Sequence, residues 1–474
     1  MKSLRNALLA GVVAWQSCAV NPATGERQLS LVSEAQEIQM GSEADPQIVA
    51  SMGLVQDQAL QSYVDAIGKR MAALTEKPNL PWSFKVVDDP VVNAFALPGG
   101  FIYVSRGIMA HFTSEAQLAS VLGHEIGHVT ARHSAEQMSR AQLAQVGLVA
   151  GMVLAPNLQN LFGAASSGLG LLFLKFGRDD ESQADELGLR YMTRARYDPR
   201  PMPGVFAMLA SVTAAGGGRG TPEWLSTHPN PENREVRIQA MIDSIGASYD
   251  GYVVNRNQYY EKIDGMVYGA NPRHGFFREN VFLHPDLAFQ ITFPAGWQTA
   301  NQTQAVLAGS PEQDAIIQLT VVPNAPSEVS AAQEFYNQEG ITGSGGRTSI
   351  NGNPAVAGDF QATTQQGNLS GSVVWISYGG NVYQILGYGA AQNWSQRVTT
   401  VRRSLESFTR LTDRSALDVQ PNKIDIVTTD RGMALREFMN RYPSVVPLQE
   451  IEIINQMRAT DIIPAGTHVK RVIQ

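Results

Sequence analysis

The segment VLGHEIGHVTARH, residues 121–133, carries three of the eight histidines in the chain. Two of them, His124 and His128, are four residues apart and fall on one face of a helix, so both imidazoles can reach a single ion, with Glu125 beside them. Imidazole nitrogen is a preferred ligand of Zn²⁺, which in a catalytic site takes three protein ligands and an exchangeable water. Two histidines fall short of that number, and an amphipathic helix with two exposed imidazoles would explain the pentapeptide equally well. Downstream, FGRDDESQADELGLRY offers a third donor. Glu181 and Asp185 share a helical face that could lie against the first helix. Glu181 can close the ligand set, and Asp185 can accept the ring N–H of a ligating histidine and fix its tautomer. Asp179, Asp180 and Glu181 also suit a solvated helix start, where acidic groups complement the dipole; Glu186 fits that role better than a catalytic one.

These residues need helices and a sheet to hold them. Residues 82–105 alternate as strands, WSFKVVDD and then VVNAFALPGGFIYVS, with Pro98-Gly99-Gly100 as a hairpin turn. Thr113 or Ser114, followed by Glu115 or Gln117, opens a helix running to about Met138. Upstream, the polar stretch NPATGERQLS reads as a tether to two helices between Ser33 and Thr75. Residues 141–176 are rich in Ala, Gly, Leu and Val and broken at Pro156, so neither half reaches the roughly 20 apolar residues of a membrane span. They read as two buried or lid-like helices between the two candidate metal-binding helices. Further helices are expected at 179–196, 201–215 and 231–246. Composition then shifts, placing a domain boundary near 250–275. Residues 275–410 show short alternating strands and two helices, an α+β domain, and 418–474 form a small unit of strand, two helices and closing strand.

A chain of 474 residues exceeds what one core supports, so two or three domains are expected. Net charge −7 offers no basic face for phosphates and argues against nucleic acid as the main partner. Lys2 and Arg5 followed by an apolar run from Ala7 to Trp15 read as an export signal, residues 1–18 ending at the only cysteine, Cys18. That position is where a bacterial lipoprotein is acylated, although Trp15-Gln16-Ser17 departs from the usual lipobox and a cut after Ala19 would remove the cysteine. A lone cysteine excludes intramolecular disulfides.

HEIGHVTARH followed by ESQAD, preceded by NAFALPGGFIYVSRG and followed by STHPNPENR, resembles the bacterial periplasmic zinc metalloproteases of the BepA type, relatives of HtpX and the CAAX prenyl protease. The likeness extends from CAVNPATGERQLSLVSEAQE through about residue 245. It implies a gluzincin protease domain over 19–250, mainly helical with a small sheet, in which His124, His128 and Glu181 bind one Zn²⁺ and Glu125 is the general base. It further implies that His228 is a switchable fourth ligand and that 141–176 is a lid. His228 and Arg234 are candidates to meet developing oxyanion charge, and Asn93, before a sheet edge, could help hold a substrate backbone. Phe95 and Leu97 read as core, and His111 and His133 as surface residues or residues just behind the ligands; His274, His284 and His468 lack metal spacing.

The domain after 275 loosely resembles PsbP-like modules, and 418–474 loosely resembles a LysM module, which implies peptidoglycan as a possible partner. Helical repeats that BepA carries are missing, so its partners, the outer-membrane assembly machinery among them, do not transfer directly. The expected fold is therefore α+β and multidomain, in an outer-membrane-anchored periplasmic lipoprotein acting on unfolded or misassembled envelope proteins. The competing reading is a mostly self-inhibited assembly or binding factor docking through its C-terminal modules.

Overall fold

Residues 18–140, 176–215, 228, 234–364 and 367–474 are described by a computed structural model of the chain. The export signal and nearly all of the expected lid, 141–175, lie outside them. The described chain is α+β, as expected, and divides into two compact units, Met1–Ala270 with Asn422–Gln474, and Asn271–Pro421.

The first unit opens with a two-stranded hairpin, β1 (Cys18–Val20) and β2 (Arg27–Leu29). Where a tether was expected, Asn21 and Gln28 are 4% and 8% exposed, because the hairpin docks on the helix that carries the histidines. Helices α1 (Glu34–Met52) and α2 (Gln58–Ala72) follow, started by Ser33 and Asp57 side chains that accept backbone N–H groups of the first turn, each such cap contributing about 1 kcal/mol. Strands β3 (Ser83–Val87), β4 (Ala94–Leu97) and β5 (Phe101–Ser105) form a sheet in the order β3-β5-β4. The expected hairpin is β4–β5, turned by Gly99 and Gly100 at φ +84 and +104, angles at which an L side chain is strained. β4 is thus an edge strand, next to the helices.

Helix α3 (Arg106–His111) leads to α4 (Glu115–Ala131), whose 17 residues are all buried, the mark of a central core helix. Ser114 caps it by accepting from Gln117 N–H. α4 ends earlier than expected: Arg132 adopts a left-handed conformation (φ 60, ψ 35), and a new helical segment, 133–140, starts in another direction. Arg132 is held there by bonds from its guanidinium to Glu37 and to the Val32 carbonyl. α5 (Arg178–Arg194), α6 (Met202–Ala215), α7 (Arg234–Ile245) and α8 (Arg256–Ile263) complete the helical layer.

In the second unit seven antiparallel strands run in the order β12-β13-β14-β15-β11-β10-β9 (Ile341–Ile350, Asn353–Thr364, Gly367–Tyr378, Asn381–Ala390, Ala315–Val321, Ala305–Gly309, Gln298–Asn301). A smaller sheet holds β6 (Phe276–Arg278), β7 (Val281–His284), β8 (Phe289–Thr292) and β16 (Thr409–Arg410). Along β14 the side chains alternate: Val373 and Trp375 join the cluster of α9 (Glu328–Tyr336), while Val374 and Ile376 join that of α10 (Trp394–Leu405). The period of two thus buries both faces.

Residues 418–474 contain the expected order, β17 (Lys423–Thr428), α11 (Leu435–Arg441), α12 (Leu448–Asn455) and β20 (His468–Ile473), with a short pair β18 (Met433–Ala434) and β19 (Ile462–Ile463). They are not a third freestanding unit. Lys470, fully buried, donates from Nζ to the carbonyls of Ala110 and Phe112 at 2.8 Å each, at the end of α3. Gln456 exchanges bonds with Gln117 of α4 and donates to the His111 carbonyl. The strand pattern shows an amphipathic βααβ unit; it cannot show which surface covers its apolar side.

Candidate metal centre

α4 and α5 cross closely because small residues meet at the crossing. A Cβ on Gly188 would lie 2.9 Å from His124 N, one on Gly127 2.9 Å from the Ala184 carbonyl oxygen, and one on Gly123 3.0 Å from the Gly188 carbonyl oxygen. This approach carries Glu181, in the first turn of α5, to the imidazoles of α4. Asp180 reaches back to the Gly177 N–H at 2.9 Å, so the helix-start role and the ligand role fall on adjacent residues.

His124, His128, Glu181 and His228 each present one ligand atom, and these atoms all lie within 4.8 Å of one another with all four residues buried. His124 Nε2 is 3.0 Å from His128 Nε2 and 3.4 Å from His228 Nδ1. Glu181 oxygens stand 3.5 Å from His124 Nε2, 3.4 Å from His128 Nε2 and 2.9 Å from His228 Nδ1. Two ligands of one tetrahedral Zn²⁺ at 2.0–2.1 Å stand about 3.4 Å apart, so the donor set fits such an ion. Lone pairs of neighbouring imidazoles converging in a buried space call for a cation between them.

The surroundings favour positive charge. Burial lowers the affinity of His124 for a proton, but the carboxylates of Asp185 and Glu181 outweigh it and push the imidazole up to about 9. Burial alone would raise Glu181; His228 and hydrogen bonds from three imidazoles hold it well below the usual carboxylate range. Burial likewise opposes ionisation of Asp185, yet Arg234 and His124 bring it to about 2. Asp185 Oδ1 lies 3.0 Å from Nδ1 of His124.

Glu125 is fully buried, neither of its oxygens has a hydrogen-bond partner among the described residues, and Oε1 stands 3.7 Å from His228 Nε2. A carboxylate left without donors beside the cluster is placed to take a proton from a reacting group. Arg234 does not sit as an oxyanion donor. Its Nε and one terminal nitrogen bond Asp185 at 2.7 and 2.6 Å, the other nitrogen is 3.0 Å from Glu181, and the guanidinium lies 4.5 Å over Phe206. With all three nitrogens turned to carboxylates, it braces α5 at Glu181 and Asp185. Asn93 is buried before β4, its Oδ1 without a partner among the described residues.

His133 stands just behind the cluster, one of the two places expected for it, with Nδ1 2.8 Å from Nδ1 of His128. Other contributors were not legible in the motifs. Phe176 stacks on His128 with ring centroids 4.0 Å apart, and Arg237 adds a bond to Asp185 at 2.5 Å. The glycines of the crossing gave no signal beyond their place within GHEIGH and DELG. His111 is neither at the surface nor behind the ligands: it is buried, bonds the Gly107 carbonyl at 2.7 Å, and burial lowers it to about 4. His274, His284 and His468 stand outside the cluster, and Phe95 and Leu97 are core.

Residues 58–270 match Peptidase family M48. Among relatives of this segment, mitochondrial metalloendopeptidase OMA1 of Arabidopsis thaliana is 37% identical over 182 residues, 38% of this chain and 36% of its own. The beta-barrel assembly-enhancing protease of Escherichia coli (strain K12) is 32% identical over 223 residues, 45% of each chain. The chain spans less than half the length of either relative. The solution structure of cyanobacterial PsbP from Synechocystis sp. PCC 6803 covers 28% of this chain and 94% of its own, at 8% identity and a TM-score of 0.23. Among the described residues no helix is long and apolar enough to cross a membrane.

Proposed function

We propose that the chain is a zinc-dependent endopeptidase of the bacterial cell envelope that hydrolyses misfolded or misassembled envelope proteins. The observation that carries this reading is the convergence of His124, His128 and Glu181 with an unpartnered Glu125 alongside; a purely structural ion site has no use for a general base. The names of relatives that match this segment, a metalloendopeptidase and a beta-barrel assembly-enhancing protease, agree with it.

When bound at these residues, the metal supplies Lewis-acid polarisation of a carbonyl and a water acidic enough to react near neutrality. With the metal held by His124, His128 and Glu181, Glu125 would be the residue that takes a proton from the attacking water and delivers it to the leaving amine, with no covalent bond between chain and substrate. β4, at the edge of its sheet among the described residues, is placed to pair with an extended peptide, and Asn93 at its start, with a buried Oδ1 that has no partner among those residues, suits holding a substrate amide. Asp185 and Arg234 keep the ligands in place.

A second reading is favoured by His228. Three protein ligands leave a zinc site reactive and four close it, and His228 stands with the other three donors. The chain would then rest in a self-inhibited state, acting as a binding or assembly factor until His228 withdraws. Export, acylation at Cys18, and docking of the C-terminal segments on outer-membrane assembly machinery or peptidoglycan belong to the same proposal. The test is zinc per chain and casein cleavage for wild type, Glu125→Gln and His228→Ala. Metal retained with cleavage down by 10²-fold or more in Glu125→Gln supports catalysis, at the usual magnitude of a lost general base; a gain in His228→Ala supports self-inhibition. A wild type that binds no metal sinks both.

A further inference from the structure

We infer that the N-terminal hairpin and His133 belong to the metal centre, the hairpin clamping the end of α4 and His133 setting which nitrogen of His128 faces the ion. This rests on the metal-site reading above and adds to it the groups that position one ligand.

The clamp is a set of side-chain bonds. α4 ends with carbonyls that have no partner within the helix. Asn21 donates from Nδ2 to the Thr130 and Ala131 carbonyls at 3.1 and 2.9 Å, and Gln28 donates to Ala131 at 2.5 Å. The two amides are themselves joined at 2.8 Å, and Asn21 Oδ1 accepts the Ala23 N–H of the hairpin turn at 2.8 Å. His128 lies within the turn that these bonds secure.

The tautomer follows from three contacts in sequence. Gln183 donates from Nε2 to Glu26 of the hairpin at 3.1 Å, which turns its carbonyl oxygen toward His133. That oxygen is an acceptor, so the proton of neutral His133 sits on Nε2, 2.9 Å away. His133 Nδ1 is then an acceptor and takes the N–H of His128 Nδ1 at 2.8 Å. His128 is left with its lone pair on Nε2, the nitrogen that meets His124 and Glu181. An imidazole thus does for His128 what the Asp185 carboxylate does for His124. His133 and His128 are 1% and 2% exposed, whereas Glu26 is exposed, so the influence fades outward along the chain of bonds.

The experiment measures zinc affinity by chelator competition in the full chain, the ¹⁵N shifts of His128, and the melting temperature of the metal-free protein, for wild type, His133→Phe, His133→Gln, Gln183→Met and Asn21→Ala/Gln28→Ala. Loss of a partner of a ligating histidine weakens metal binding on the order of 10–100-fold, expected for His133→Phe. His133→Gln, whose amide oxygen can accept the same N–H, should recover most of it. Gln183→Met should show a smaller loss and a mixture of His128 tautomers, and the Asn21/Gln28 pair a loss in both affinity and melting temperature. If His133→Phe and Gln183→Met lower only the melting temperature while affinity and His128 shifts stay at wild-type values, the residues are structural and the inference fails. Wild type failing to bind zinc would overturn the metal centre itself, a separate result.

Discussion

Replacing Asp185 by Asn keeps the shape of the side chain and removes only its charge, so the variant leaves no cavity. In the folded protein the carboxylate faces His124 at 3.0 Å, Arg234 at 2.6 and 2.7 Å, and Arg237 at 2.5 Å, and is fully buried. An amide can still turn its oxygen to His124, but its NH₂ then meets guanidinium N–H groups, donor against donor. Uncompensating a buried ion pair costs about 3–5 kcal/mol, while weakening the hold on a ligating histidine costs on the order of 10–100-fold in metal affinity, roughly 1.4–2.7 kcal/mol. The folding term is the larger. Urea unfolding of metal-free Asp185→Asn should therefore show the first loss, and zinc competition the second, smaller one. A variant with wild-type stability and wild-type affinity would refute the brace of Asp185, Arg234 and Arg237.

Gly188→Ala should push α5 from α4, since the added methyl meets His124 backbone at 2.9 Å; overpacking of about 1–3 kcal/mol and weaker zinc binding are expected, and an unchanged melting temperature would contradict the close crossing. Burial holds Lys470 well below its ordinary value, and a neutral amine still has two N–H donors for Ala110 and Phe112. The unfolded chain then binds the extra proton, so this residue detracts from stability below pH about 10.4 and the deficit shrinks as pH rises toward that value. Melting temperature should rise with pH from neutrality upward, and Lys470→Met should flatten that rise; equal slopes would show the lysine to be charged in place. His228→Ala should leave zinc bound by three ligands, with an affinity loss measurable by chelator competition; loss of all binding would make His228 indispensable rather than switchable.

Much of the centre was readable because its donors lie at helical spacing. His124 and His128 share a face by periodicity alone, Glu181 and Asp185 do the same on α5, and acceptor and ligand roles follow from carboxylate chemistry. The sheet hairpin was announced by Pro98-Gly99-Gly100. Other features were closed to such reading. Arg234 has the chemistry of an oxyanion donor, and only its three carboxylate contacts reveal a brace. His133 lay outside ligand spacing, and the left-handed Arg132, held from α1, is what brings it back to His128.

By itself the sequence determined most of the helices and strands and the identity of the groups able to bind a metal, since those depend on local periodicity and on side-chain chemistry. Tertiary structure alone decided that α4 and α5 approach across glycine, that the hairpin after Cys18 grips the end of α4, and that residues 422–474 seat Lys470 beneath α3. Those outcomes rest on contacts between residues 61 to 360 positions apart, where shape complementarity and the satisfaction of buried polar groups act and no local pattern reaches.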